Sequence, residues 1–175
     1  SSKQFVTDMY NLLITVKHYY PEIFKKTEKK TEETMDSFTT YTGVKVLAST
    51  VGKSQRGAIQ ESSRPDLLIF DDIESRITLR SATITQKIWD NMEEAKDGLS
   101  KGGGCIYLAN YLSERGNVHR LVQKKDFEGV KVLIQPIVKD NTPTWAYFTK
   151  EDIKRIEENA EDFEGEYLCQ PSAGE

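Results

Sequence analysis

The strongest constraint on the fold class is a run of four apolar residues. A proline lies before the run, and two aspartates follow it. In RPDLLIFDDIES, residues 64–75, the run Leu67 to Phe70 lies between Pro65 and the pair Asp71 and Asp72. A short, continuously apolar run bounded by turn residues is typical of a strand buried on both faces of a parallel sheet. Parallel strands need crossover connections, usually helices, so this run predicts an α/β protein.

Segments with strand and helix patterns alternate along the rest of the chain. In order, they are the helical stripe Ile84, Ile88, Met92, Ala95 and Leu99 behind a capping box at Thr83 and Gln86, the strand CIYLANY, a helix from about Glu114 to Lys124, the strand VKVLIQPIV, and a last helix capped by Thr149 and Asp152. This order predicts a mostly parallel sheet with flanking helices, in which ligands gather at the carboxyl ends of the strands.

The N-terminal part has a different character. Apolar residues recur there at helical spacing, and Pro21 ends the pattern, which predicts an amphipathic helix. Residues 25–36 carry mixed charge and almost no apolar side chain, so they predict a solvated connector. Strand-forming residues on both sides of Thr42-Gly43 predict a hairpin. The helical stripe consists of Phe5, Met9, Leu12, Leu13 and Val16.

Composition excludes several classes of protein. The 175 residues carry 28 acidic and 24 basic side chains, a net charge of −4, so any contact with nucleic acid must be local. Cys105 and Cys169 lie far apart, and with two histidines they form no zinc motif. No run of eighteen apolar residues and no basic-then-apolar leader occurs, so the sequence predicts a cytoplasmic protein without a membrane partner.

Gly52-Lys53-Ser54 resembles the end of a phosphate-binding loop, but the pattern is incomplete. That loop requires a glycine five residues before its second glycine, and Leu47 occupies this position. Gly57, Ser62, Ser63 and Pro65 leave little room for the helix that must follow. No other GxxxxGK[ST] occurs in the chain, so it lacks a Walker A unit.

The acidic pair at the end of the apolar run has two interpretations. In a Walker B element, the aspartate at the strand end holds Mg²⁺, usually through water, and the next carboxylate orients the attacking water. Acidic residues at a strand end can equally cap the next turn. The adjacency of Asp71 and Asp72 favours a cation, because a bound cation relieves the repulsion between two neighbouring carboxylates.

Several motifs occur in an order that resembles a known family. They are TGVKVLASTVGKSQRGAIQESSRPDLLIFDDIES, GGGCIYLANYLSERGNVHRL, PTWAYFTKEDI and FEGEYLCQP, and they extend from about Asp36 to Pro171. This set resembles the ATPase domain of bacteriophage terminase large subunits, the motors that package DNA into capsids. The resemblance implies a P-loop NTPase (ASCE)-like fold in which residues 36–171 contain Walker B, residues 1–35 a helix and connector, and residues 172–175 a tail.

The resemblance also implies roles for individual residues. Asp71 matches the Walker B acid associated with Mg²⁺, and Asp72 the carboxylate that orients water, with Glu74 as the alternative. Asn110 lies where the family usually has a threonine that couples γ-phosphate loss to movement. Arg56, in the QRG sequence, matches an arginine finger offered to a neighbouring subunit.

The implied setting is that of a packaging motor. Its cofactors are Mg²⁺ and ATP, and its partners are the capsid portal, the small terminase subunit, double-stranded DNA and further copies of itself, in the cytoplasm of an infected bacterium. The family's Walker A strand is expected upstream of Ser1 and its nuclease domain downstream of Glu175. Without Walker A, the 175 residues alone are expected not to hydrolyse ATP.

Other functional classes remain open from the residues alone. Paired acids also occur in phosphoacceptor receiver domains, and Asp71, Asp72 and Glu74 could form a metal-dependent nuclease site. A non-catalytic interaction module, docking through the N-terminal helix, is a further alternative. The Walker B interpretation predicts that the strand ends between Asp71 and Asp72, and that Asp71 and Asn110 lie on adjacent strand ends with side chains converging on one crevice.

Overall fold

A computed structural model describes residues 2–16, 19, 28–29, 37–40, 42–49, 64–124 and 129–173. The chain forms two compact units, Ser1–Ser54 and Gln55–Glu175. In the described parts of both units, no helix combines the length and the apolar character that crossing a membrane requires.

The first unit contains one helix and a small antiparallel sheet. Its elements are α1 (Ser2–Thr15), β1 (Glu28–Lys29), β2 (Ser37–Thr39) and β3 (Lys45–Leu47), with strand order β1-β2-β3. The turn between β2 and β3 contains Gly43 at φ +88°, a left-handed conformation that glycine adopts without strain. The predicted hairpin at Thr42-Gly43 is therefore confirmed. The predicted connector contains a strand, because β1 pairs with β2.

The core of the first unit joins α1 to β2. Val6, Tyr10 and Phe38 are buried, and the rings of Tyr10 and Phe38 meet edge to face at 5.6 Å. The predicted helical stripe is wrong in part, because Leu12 is exposed while Val6 and Tyr10 are buried. Apolar side chains occur on several sides of α1, so periodicity alone could not identify the face that packs against Phe38.

The second unit is built around two parallel strands. Its elements are β4 (Leu67–Asp71), α2 (Arg76–Leu79), α3 (Ala82–Asp97), β5 (Gly104–Leu108), α4 (Asn117–Gln123), β6 (Val138–Lys139), β7 (Thr142–Pro143), α5 (Lys150–Asn159) and α6 (Phe163–Tyr167). Strands β4 and β5 pair in parallel, from Leu67 opposite Gly104 to Asp71 opposite Leu108. The chain from β4 through α2 and α3 to β5 is thus a βαβ crossover.

The helix ends of the second unit follow local capping chemistry. Thr149 and Asp152 form the predicted capping box at the start of α5. The predicted cap of α3 is wrong, because Ser81 is the extended residue whose side chain accepts from the Ile84 N–H, whereas Thr83 is already helical. Helix α4 begins at Asn117, three residues after the predicted start at Glu114.

One predicted strand is largely absent. Of VKVLIQPIV, residues 130–136 form no strand, and Val138–Lys139 alone pairs, with Thr142–Pro143. Leu133 and Ile134 are exposed, and Pro136 has no N–H to donate to a strand ladder. The hairpin that does form turns at Asp140 and Asn141, both with positive φ, as in a type I′ turn.

The parallel sheet is covered unequally. Leu67 and Ile69 of β4, and Ile106 and Leu108 of β5, are 53, 43, 44 and 52% exposed. Of the intervening residues, Leu68, Phe70 and Tyr107 are half-buried and Cys105 is exposed. The prediction that β4 is buried on both faces is therefore wrong for the described part of the chain. A single crossover packs on one face of the sheet, so α3, which buries Ile88, Met92 and Ala95, cannot cover both.

Candidate functional site

The acidic pair lies at the carboxyl end of β4. The strand ends at Asp71, as the sequence predicted, and both Asp71 and Asp72 are exposed. Asp72 has φ +46°, and its N–H donates to the Leu108 carbonyl at 2.9 Å. Aspartate tolerates this left-handed conformation better than most residues. The chain thus turns sharply between the two carboxylates instead of continuing the strand.

Asn110 lies near the same edge of the sheet. It follows Leu108, the last residue of β5, by two positions and is exposed. Because β4 and β5 are parallel and Asp71 is opposite Leu108, Asp71 and Asn110 are at adjacent strand ends, as predicted. No hydrogen bond joins Asp71 to Asn110 within the described residues, so the convergence of their side chains stays a prediction.

Glu74, only two residues after Asp72, is in a different environment. It is buried, and its carboxylate accepts from the backbone N–H of Asn117 at 3.1 Å through Oε1 and at 2.8 Å through Oε2. The Tyr107 hydroxyl donates to Oε2 at 3.4 Å. Gly116, the N-cap residue of α4, has no side chain to cap the helix. Glu74 therefore performs the capping that Gly116 cannot.

Burial and hydrogen bonding have opposite effects on the pKa of the Glu74 carboxyl group. Removal from water raises the pKa of its carboxyl, while bonds from the Asn117 and Val118 N–H groups and the Tyr107 hydroxyl, and the charge of Arg120, partly offset the rise. Burial, and secondly the Glu74 carboxylate, raise the pKa of Tyr107 far above its usual range. Tyr107 thus remains a protonated hydrogen-bond donor at all ordinary pH values.

Asn117 connects these elements and was not identified from the sequence. It is fully buried, and its side-chain N–H donates to the Thr85 carbonyl in α3 at 3.0 Å. Its side-chain oxygen accepts from Arg120 Nη1 at 3.4 Å. Asn117 therefore joins the loop after β4, helix α3 and helix α4. The available signal was a Gly-Asn pair at the start of a predicted helix, which is weak by itself.

Helix α4 lies close to the end of α2 at Gly116. A Cβ atom on Gly116 would lie 3.0 Å from Leu79 Cδ2, 3.3 Å from the Ser113 carbonyl oxygen and 3.4 Å from Glu74 Oε2. The first two distances are tighter than ordinary van der Waals contacts, and the third is at their lower limit. A side chain at this position would therefore require Leu79 or the Ser113 backbone to shift by a few tenths of an ångström.

Two clefts adjoin this buried network. The first, of about 470 Å³, is lined by Arg80, Arg115 and Arg120 together with Leu79, Ala82, Thr85 and Gln86, and we call it the arginine cleft. The second, of about 400 Å³, shares Leu79, Arg80 and Arg115 with the first and adds Glu161 and Asp162, so we call it the mixed cleft. The two clefts therefore meet at a common wall but differ in charge.

Arg76 holds α2 against α6 at the mixed cleft. Its guanidinium pairs with Glu161 at 2.6 Å and with Glu166 at 2.7 Å, and lies 3.9 Å from Asp162. Asp162 also caps α6 by accepting from the Gly165 N–H at 2.9 Å. The positive charge of Arg76 is thereby neutralised within the structure.

Two sequence-predicted features cannot be located. Arg56 and the Gly52-Lys53-Ser54 segment lie outside the described residues. Among the residues that are described, no group of three or more histidine, cysteine or acidic side chains is arranged to hold a metal ion.

Comparisons with protein-family models, with curated proteins and with solved structures find no match to this chain.

Proposed function

We propose that this chain is part of the ATP-hydrolysing motor of a phage terminase large subunit, which packages viral DNA into the capsid, and that it carries the Walker B and coupling segments. One observation supports the proposal above the others. Asp71 and Asn110 lie at the carboxyl ends of adjacent parallel strands joined by a helical crossover. In P-loop-type α/β proteins, this edge is where nucleotide phosphates bind.

The residues at this edge are suited to Mg²⁺. Asp71 and Asn110 offer a carboxylate and an amide oxygen, and Mg²⁺ prefers oxygen ligands. One or two carboxylates are enough only when substrate phosphates complete the coordination shell. Bound Mg²⁺ would neutralise charge that develops on the β- and γ-phosphates. In the complete motor, Asp71 would hold the ion, directly or through water, and Asn110 would contact the phosphate or its water.

The environments of Asp72 and Glu74 favour different roles. Asp72 is exposed next to Asp71, which suits a carboxylate that orients the attacking water. The Glu74 carboxylate is bonded to α4 and Tyr107, which suits a positioning residue rather than one that touches substrate. Arg56 of a neighbouring subunit would act as the arginine finger in the assembled motor.

ATP hydrolysis by the complete protein tests this function. We expect the product of the whole reading frame that contains these residues to hydrolyse ATP with Mg²⁺. Asp71→Asn should lower the rate about 10- to 100-fold, as loss of a carboxylate that acts through metal-bound water does. The matched control is Asp66→Asn, at the other end of the same strand, whose carboxylate accepts from the Ser100 hydroxyl at 2.5 Å.

The outcomes separate the parts of the proposal. An unchanged rate for Asp66→Asn with a large loss for Asp71→Asn supports the Walker B role. Equal losses would mean that both changes act through the fold, and would reject the role. Absence of Mg²⁺-dependent hydrolysis in the complete protein would reject the motor itself. Steady turnover by the 175 residues alone would reject the expectation that they need a Walker A unit.

A further inference from the structure

We propose that the arginine cleft binds two or more adjacent phosphate groups, supplied by a nucleic-acid backbone or by a free polyphosphate. The ligand is a polyanion, and the site requires neither Mg²⁺ nor a nucleotide at the Asp71 edge. The proposal is therefore independent of the proposed ATPase function and can succeed or fail without it.

The charge of the cleft is the first argument. Arg80, Arg115 and Arg120 line it, and none of the described residues that line it carries a carboxylate. The guanidinium group remains protonated at all physiological pH values, so the three residues bring a charge of +3. The whole chain has a net charge of −4, so the positive charge of the cleft is opposite in sign to the net charge of the protein.

The mixed cleft provides an internal comparison. It shares Arg80 and Arg115, but Glu161 and Asp162 also line it, and Arg76 is already paired with these acids. An anion entering the mixed cleft meets acidic side chains, whereas the described residues that line the arginine cleft include none. Arg80 and Arg115, which line both clefts, therefore favour an anion in the arginine cleft over one in the mixed cleft.

Hydrogen-bond capacity is the second argument. Arg80 is exposed, and its guanidinium makes no hydrogen bond or ion pair with other described residues. Arg120 donates to Asn117 at 3.4 Å and lies 4.7 Å from the centre of the Trp89 ring. These two contacts hold the guanidinium in place while most of its five N–H donors remain available. A held guanidinium loses little further freedom when it binds a phosphate.

The size of the basic surface favours several phosphates over one carboxylate. The cleft measures about 470 Å³, larger than one small anion requires. Lys124 also lies 4.7 Å from the Trp89 ring, so positive charge continues past Arg120 along α4. Arginine matches phosphate oxygens with paired N–H donors, and a row of such cations suits a chain of phosphates.

Binding of a labelled DNA duplex to the 175-residue chain tests the site. Fluorescence anisotropy is measured without Mg²⁺ or nucleotide, over a series of salt concentrations. Arg80→Gln should weaken binding about tenfold, the value of one charge-assisted hydrogen bond. It should also reduce the slope of log K against log salt by about 0.9, the loss of one phosphate contact. Circular dichroism checks that the variant is folded.

Lys154→Gln is the matched control, because it removes the same charge from an exposed position on α5. Lys154 is paired only loosely with Glu158, at 3.9 Å. Affinity and salt slope should be unchanged in this variant. If Lys154→Gln weakens binding as much as Arg80→Gln, binding follows overall charge and the site is rejected.

Inorganic tripolyphosphate is the second probe and distinguishes the source of the phosphates. Its binding is measured by calorimetry on the unmodified chain and on the Arg80→Gln variant. If the chain binds tripolyphosphate but not the duplex, and Arg80→Gln weakens that binding, the ligand is a free polyphosphate and the site stands. If neither probe binds, or if Arg80→Gln leaves both affinities unchanged, the proposal is overturned.

Discussion

Asp71, the last residue of β4, and Glu74, in the loop that follows, are carboxylates three residues apart, yet their surroundings are opposite. Asp71 ends a strand with its side chain exposed, and no hydrogen bond to it occurs within the described residues. Glu74 is buried and accepts hydrogen bonds from the backbone N–H groups of Asn117 and Val118 and from the Tyr107 hydroxyl. The difference shows that an acidic cluster in a sequence can divide into an exposed part and a buried, structural part.

The division has a clear physical basis. A carboxylate that binds a cation must replace its bound water with the cation. Exposure to solvent therefore favours cation binding, and existing hydrogen bonds to the carboxylate oppose it. A carboxylate that caps a helix gains from burial among N–H donors, because the buried helix end would otherwise leave those donors unpaired. Glu74 fixes the loop to α4, and Asp71 and Asp72 remain at its open side.

The largest expected difference in stability is between variants of two asparagines, the buried Asn117 and the exposed Asn110. Asn117→Ala should lower the free energy of unfolding by about 2–3 kcal/mol, because Arg120 loses an acceptor and a buried cavity remains. Asn110→Ala, at the exposed strand end, should change it by less than about 0.5 kcal/mol. Urea unfolding of both variants measures the contrast. Equal effects would show that the buried network is not a stability centre.

The pH dependence of stability sharpens the contrast for Glu74. Its pKa is raised from an ordinary value of 4.5, so the native state binds this proton more tightly than the unfolded chain. Stability contributed by Glu74 is therefore greatest at acidic pH and decreases as pH rises from 4.5 through the raised pKa. Glu74→Gln cannot titrate, so the variant should lack this decrease.

The measurement is the difference in unfolding free energy between the unmodified protein and Glu74→Gln from pH 4 to 8. As pH rises, the unfolding free energy of the unmodified protein should decrease relative to that of Glu74→Gln. At acidic pH, Glu74→Gln should cost only about 1 kcal/mol, since the amide oxygen still accepts from Asn117. A difference that is constant with pH would contradict a raised pKa.

The smallest expected effect on stability concerns Asp72. Its φ of +46° costs a residue with a Cβ roughly 1 kcal/mol, and a glycine removes that strain while making the unfolded chain more flexible. Asp72→Gly should therefore raise stability by at most about 0.5 kcal/mol. ATP hydrolysis by the complete protein should nevertheless decrease about 100-fold or more if Asp72 orients water.

Asp140→Gly is the matched control, because Asp140 has φ +50° in a hairpin turn away from the strand end. It should show the same small change in stability and no change in hydrolysis. If Asp72→Gly leaves hydrolysis unchanged as well, Asp72 is not the water-orienting carboxylate.

Features set by neighbouring residues were predictable from the sequence. The hairpin at Thr42-Gly43, the end of β4 at Asp71 and the capping box of Thr149 and Asp152 each depend on a few consecutive side chains. The strand predicted in residues 130–136 failed because β-forming residues become a strand only when another strand pairs with them.

Features set by distant contacts were not predictable. Glu74 and Asn117 are separated by 43 positions, and nothing local to either residue indicates the other. The arginine cleft brings together Arg80, Arg115 and Arg120 from two segments of the chain. Periodicity and spacing describe single elements, whereas such sites depend on how the elements pack.

The position of Trp89 gives the molecule an optical reporter. Its indole ring lies 4.7 Å from both the Arg120 guanidinium and the Lys124 ammonium group. Indole emission responds to nearby charge, so an anion that binds beside these cations changes the fluorescence of Trp89. The exposed Trp145 is the other tryptophan, and Trp145→Phe would leave a single emitter beside the arginine cleft. Occupancy of the cleft could then be followed in unlabelled protein, in real time.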